Sequence, residues 1–76
     1  MLNYNMKFLV VKVKDKDLYF NSDEMEGPYV CDTPMLMGKD QADSIMKYCD
    51  ELYNYDSDVV FTNNDLEIRE VEVNLI

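Results

Sequence analysis

The chain has 76 residues with sixteen Asp and Glu against seven Lys and Arg, no His and no Trp, for a formal charge of −9. That length supports one domain, residues 1–76, and a hydrophobic content of 47% removes it from the regime in which charged chains stay disordered. The negative balance argues against direct binding to nucleic acid or to an anionic membrane and in favour of basic protein surfaces.

The charge is uneven along the chain. Residues 1–20 hold Lys7, Lys12, Lys14 and Lys16 against Asp15 and Asp17, while residues 21–76 hold Lys39, Lys47 and Arg69 against fourteen acids. The N-terminal Met-Leu-Asn-Tyr-Asn-Met-Lys lacks the basic flank and apolar run of a signal peptide, and no apolar stretch reaches the roughly 18 residues of a membrane span. A cytoplasmic location is expected, with Cys31 and Cys49 as reduced thiols. Met6 reads as a natural start, which makes residues 1–5 a short extension.

Residues 6–13 form a nearly continuous apolar run with β-branched Val10, Val11 and Val13, the pattern of a central strand. Lys14, Asp15, Lys16 and Asp17 turn the chain into a second strand over residues 18–21, giving a hairpin. Residues 22–28 combine acids with Gly27 and Pro28 and make a loop, followed by a short strand over residues 29–31. Met35, Leu36 and Met37 read as an apolar plug.

Ala42, Ile45, Met46, Cys49, Leu52 and Tyr53 then recur at the spacing of one helical face, predicting a helix over about 41–54 with Asp40 as its N-cap. Lys47, between Asp43 and Asp50/Glu51, suggests an i,i+4 ion-pair network. Residues 59–62 are β-like, Asn63, Asn64 and Asp65 turn, and residues 66–76 alternate. Leu66 and Ile68 share one parity whereas Val71, Val73 and Leu75 share the other, which calls for a bulge near Arg69 and Glu70 or a strand starting at Val71. The expected fold is therefore α+β: an antiparallel sheet of about four strands on one amphipathic helix, in the order β-β-(β)-α-β-β.

Catalytic chemistry is scarce. Without His the usual general base and the commonest metal ligand are both missing. None of Ser22, Ser44 and Ser57 sits in a nucleophile elbow, Gly27 and Gly38 are the only glycines, and two isolated cysteines make no zinc site. Asp15, Asp17, Tyr19, Asn21, Asp23 and Glu26 fit a calcium-loop register, but Phe20 occupies the position that demands glycine and residues 18–20 read as strand. No enzyme activity, cofactor or metal is expected.

The remaining acids cluster at Asp23, Glu24 and Glu26, at Asp50, Glu51, Asp56 and Asp58, and at Glu67, Glu70 and Glu72. Tyr48, Tyr53 and Tyr55 are interleaved with the second group, and tyrosine is a residue that protein interfaces favour. Glu70 and Glu72 on a strand stand about 6.6 Å apart on one face, close to the spacing of successive phosphates. Asp23, Glu24, Glu26, Asp50, Glu51, Tyr53, Tyr55, Asp56, Asp58, Glu70 and Glu72 are thus the candidate partner-binding residues.

The sequence Met-Lys-Phe-Leu-Val-Val-Lys-Val, the Leu-Tyr-Phe strand, the Lys-Asp-Gln-Ala-Asp-Ser-Ile-Met-Lys-Tyr helix and the closing Ile-Arg-Glu-Val-Glu-Val resemble the small acidic accessory proteins of bacteriophages and other mobile elements. That group includes anti-CRISPR proteins and nucleic-acid mimics, and the resemblance implies an inhibitor of a nucleic-acid-handling protein in the host cytoplasm. It carries over no individual residue. The rival expectation is a structural or regulatory module that homodimerises through its last strand or docks on a phage protein. Nucleotide sequestration ranks last, since only the lysines of residues 7–16 could hold phosphate.

Overall fold

A computed structural model describes residues 4–25 and 27–75. The chain folds as β1 (Tyr4–Val13), β2 (Tyr19–Asp23), β3 (Gly27–Cys31), α1 (Lys39–Tyr48), β4 (Leu52–Asn54), β5 (Val60–Phe61), a 3₁₀ turn (Asn63–Asp65) and β6 (Leu66–Leu75). The six strands form one sheet in the order β5-β4-β3-β2-β1-β6. Every pairing is antiparallel except β3 with β4, which is parallel. The α+β class holds, but the sheet has six strands and is mixed. The parallel pair follows from connectivity: α1 is the crossover between β3 and β4, and parallel neighbours require such a connection.

The helix is shorter than its periodicity implies. It ends at Tyr48, with the Cys49 amide donating to the Ile45 carbonyl at 3.0 Å, and the chain resumes as β4 at Leu52. Ala42 and Ile45 are buried and Met46 and Cys49 pack at the margin, as the stripe predicts. Leu52 and Tyr53 instead belong to β4, where alternation buries Leu52 and turns Tyr53 outward. Asp50 and Glu51 would be poor residues for a last helical turn, since the negative end of the helix dipole lies there. Gly38 is the N-cap and makes no side-chain cap bond. Asp40 lies in the first turn, where its charge suits the positive end of the dipole.

One core fills the space between α1 and the sheet: Val11, Val13, Phe20, Val30, Met37, Ala42, Ile45, Leu52, Phe61 and Leu66. Met37 plugs it from the side, bound to the Leu9 backbone by two hydrogen bonds of 2.8 and 2.9 Å. Asn63 Nδ2 donates to the Met46 carbonyl at 3.2 Å and ties the 3₁₀ turn to the end of α1. Among the described residues no helix is long and apolar enough to cross a membrane.

The parity change in the last strand needs no bulge. β6 pairs with β1 in unbroken register from Tyr4 opposite Leu75 to Val13 opposite Leu66. Leu66 and Ile68 face α1 with Val13 and Val11, while Val71 and Val73 lie opposite Phe8 and Met6 on the other face. Beyond the Met37 bridge, residues 4–8 pair only with residues 71–75 among the described residues. They form a two-stranded ribbon at one end of a molecule measuring 47 × 26 × 23 Å.

Candidate protein-binding surface

Val30 belongs to the core under α1, so alternation turns its neighbour Tyr29 to the opposite face of the sheet. Tyr29 in β3 is in register with Asn21 of β2 and Tyr53 of β4, and directly paired residues share a face. The Tyr55 amide donates to the Val30 carbonyl at 2.8 Å, extending the parallel pairing past β4. Tyr55 therefore falls two residues along from Tyr53 on the same face. The Tyr29 and Tyr55 rings meet with centroids 5.0 Å apart and planes tilted by 47°.

This ring pair is the wall between two open cavities. One, of about 430 Å³, is lined beyond the pair by Pro28, Tyr53, Asn54, Ser57 and Asp58. The other, of about 460 Å³, is lined by Asn21, Cys31, Asp32, Thr33 and Asp56. Local hydrogen bonds fix the rim. The Asp56 amide donates to Asn54 Oδ1 at 3.1 Å and the Val59 amide to Ser57 Oγ at 3.3 Å, shaping the turn that presents Asp56 and Asp58. Asn21 Nδ2 donates to the Thr33 carbonyl at 3.1 Å and holds the loop after β3. Tyr29 Oη donates to Asp23 Oδ2 at 3.4 Å. Desolvation, and then the Asp23 carboxylate, push the Tyr29 phenol above its ordinary pKa.

Charge is segregated across the sheet. Residues 21–33 and 50–60, whose described residues build this end, contain in sequence Asp23, Glu24, Glu26, Asp32, Asp50, Glu51, Asp56 and Asp58 and no Lys or Arg. The rest of the chain holds eight acids against all seven bases. Those bases are largely engaged there: Lys7 with Glu70 and Lys12 with Glu67, both at 3.6 Å, Arg69 with Glu67 at 3.8 Å, and Lys39 with Asp43 at 2.5 Å. Lys14 Nζ donates to the Asn64 carbonyl at 3.0 Å. Asp56 and Asp58 have no ion-pair or side-chain hydrogen-bond partner among the described residues.

Of the sequence candidates, the structure brings Tyr53, Tyr55, Asp56 and Asp58 together, with Asp23 joined to them through Tyr29. Glu24 lies in the adjacent β2–β3 turn, and Glu26 is outside the described residues. Asp50 and Glu51 are exposed in the connection from α1 to β4 and line neither cavity. Glu70 and Glu72 are elsewhere, on the α1 side of the ribbon, where Lys7 is paired with Glu70 and stands opposite Glu72. Lys47 does not bridge the helix acids: Asp43 pairs with Lys39, and Lys47 Nζ lies 5.2 Å from the centroid of the Tyr48 ring.

Tyr29, Asn21 and Asp32 were not legible as site residues. The available signal was the i,i+2 spacing of Tyr53 and Tyr55, which puts both on one face if the segment is strand but separates them on a helix. Compared with protein families, curated proteins and solved structures, the chain shows no significant match.

Proposed function

We propose that the protein is a non-catalytic, phage-type inhibitor that docks its acidic, tyrosine-bearing face on a basic surface of a nucleic-acid-handling protein, a CRISPR effector or another defence nuclease, in the host cytoplasm. The observation that carries this reading is the segregation of eight acids and no base into the two segments around Tyr29, Tyr53 and Tyr55. A field of one sign speeds encounter with a basic surface, and rigid aromatics supply the desolvated contact. Competition with nucleic acid follows, since that partner surface would otherwise attract phosphates. Asp56 and Asp58 suit this role better than Glu70 and Glu72, because Lys7 is paired with Glu70 and stands opposite Glu72.

The test is capture of partners from bacterial lysate at about 50 mM and about 500 mM NaCl, with mass spectrometry and a nucleic-acid competition arm. Nucleic-acid-handling proteins retained at low salt and displaced by DNA or RNA are expected. Retention indifferent to salt and to nucleic acid would remove the mimicry.

A second reading has its own observation. β6 is an edge strand of ten residues, and edge strands offer unpaired backbone groups to another chain. Pairing of β6 with β6 of a second copy would make a homodimeric interaction module. A tight dimer by light scattering, with no retained nucleic-acid-handling protein, would favour it.

A further inference from the structure

We propose that the two cavities flanking the Tyr29/Tyr55 pair are receptors for arginine side chains of the partner, so that the groove reads an extended, arginine-bearing segment and not basic charge in general. This rests on the protein-docking reading above and adds the chemistry of the contact.

Each cavity combines an aromatic wall with its own carboxylate: Tyr53 and Asp58 in the first, Asp32 and Asp56 in the second, with Tyr29 and Tyr55 shared. A guanidinium is planar, stacks on tyrosine faces and donates two parallel hydrogen bonds to one carboxylate, whereas an ammonium is a strongly hydrated point charge that does none of these as well. No Lys or Arg lines either cavity, and the carboxylates of Asp56 and Asp58 have no internal partner to displace among the described residues. Two receptors on either side of one ring pair suit side chains that leave the same face of an extended segment. Residues i and i+2 of such a segment stand about 6.6 Å apart.

Part of the site is held in place by contacts within the fold. Tyr29 is held by its pairing in β3, by the Tyr55 ring and by its bond to Asp23. The Asp56 and Asp58 turn is held by Asn54 and Ser57. Holding these backbone segments and the Tyr29 ring in advance lowers the ordering cost of binding.

The experiment titrates the intact protein with three capped peptides, Gly-Arg-Gly-Arg-Gly, its Lys analogue and its citrulline analogue. The protein lacks Trp, so its intrinsic emission reports on tyrosine alone, and nuclear magnetic resonance shifts locate the contact. The Arg peptide is expected to bind at least about threefold tighter than the Lys peptide, a difference within the cation–π range. Citrulline, which keeps the shape and loses the charge, should bind more than about tenfold weaker. Asp56→Asn with Asp58→Asn, and separately Tyr55→Ala, should each lower Arg-peptide affinity by about tenfold or more while the circular dichroism spectrum stays native, because Tyr55 is 56% exposed. Equal binding of the Arg and Lys peptides, or Arg binding untouched by Tyr55→Ala, would overturn the proposal.

The two readings fail separately. Arg-selective binding with no nucleic-acid-handling protein retained from lysate upholds the receptor and removes the inhibitor role. A retained partner that survives Tyr55→Ala, with no peptide selectivity, removes the receptor and leaves the inhibitor role standing.

Discussion

Tyr29 joins the core architecture to the surface chemistry, because its backbone pairs within β3 and β4 while its ring and hydroxyl organise the groove. Its phenol is raised above the ordinary 10.0 by desolvation and then by Asp23. A raised phenol pKa means that the protonated form is the one the fold stabilises. That contribution is intact below pH about 10 and is lost as pH rises through the raised value. The difference in phenolate absorbance between wild type and Tyr29→Phe should therefore titrate with a midpoint above 10.0; a midpoint at or below it would mean that Asp23 and the groove exert no hold on this residue. Asp15 makes a different point. It occupies the left-handed region at φ 61° in the β1–β2 hairpin turn, which Asp tolerates and a β-branched residue does not. Asp15→Val should cost about 1–2 kcal/mol in urea unfolding, whereas Asp15→Gly should not destabilise.

At the scale of elements, the hydrophobic patterns of the first hairpin and of the first half of α1 lead directly to the observed elements, since nearby sequence decides them. The stretch 49–55 was not legible in the same way. Cys49, Leu52 and Tyr53 fit a helical stripe, but the segment Leu52-Tyr53-Asn54-Tyr55 also alternates, and pairing with both β3 and β5 settles the choice through residues far away in sequence. The same limit hid the site, because Tyr29 and Tyr55 meet only once the crossover has laid β4 beside β3. The parity change in β6 was legible as a pattern but not as its cause, which is that the ribbon presents its apolar side away from α1. Asn63 tests how the helix end is held. Its bond to the Met46 carbonyl caps a partly buried acceptor, so Asn63→Ala should lower stability by about 1 kcal/mol, measured by denaturant midpoint. No change in the midpoint would show that the bond contributes nothing.

For the whole molecule, the charge of −9 resolves into a nearly balanced half, built around β1, β6 and α1, and an acidic half around β3, β4 and their loops. Self-repulsion in the acidic half opposes folding, and counter-ions relieve it. Raising NaCl from about 50 mM to about 500 mM should stabilise the fold by roughly 1 kcal/mol, a shift of about 4–8 °C in Tm for a domain of this size. Asp56→Asn with Asp58→Asn should reduce that shift; an equal shift in the variant would place the repulsion elsewhere. In the proposed docking this acidic half, and not the Glu70 and Glu72 ribbon, meets the partner. The most direct measurement compares capture from bacterial lysate at low salt by wild type, by Asp56→Asn/Asp58→Asn and by Glu70→Gln/Glu72→Gln. Wild type and the ribbon variant should retain the same nucleic-acid-handling proteins, and the groove variant should lose them. Retention by the groove variant, with loss confined to the ribbon variant, would contradict that docking.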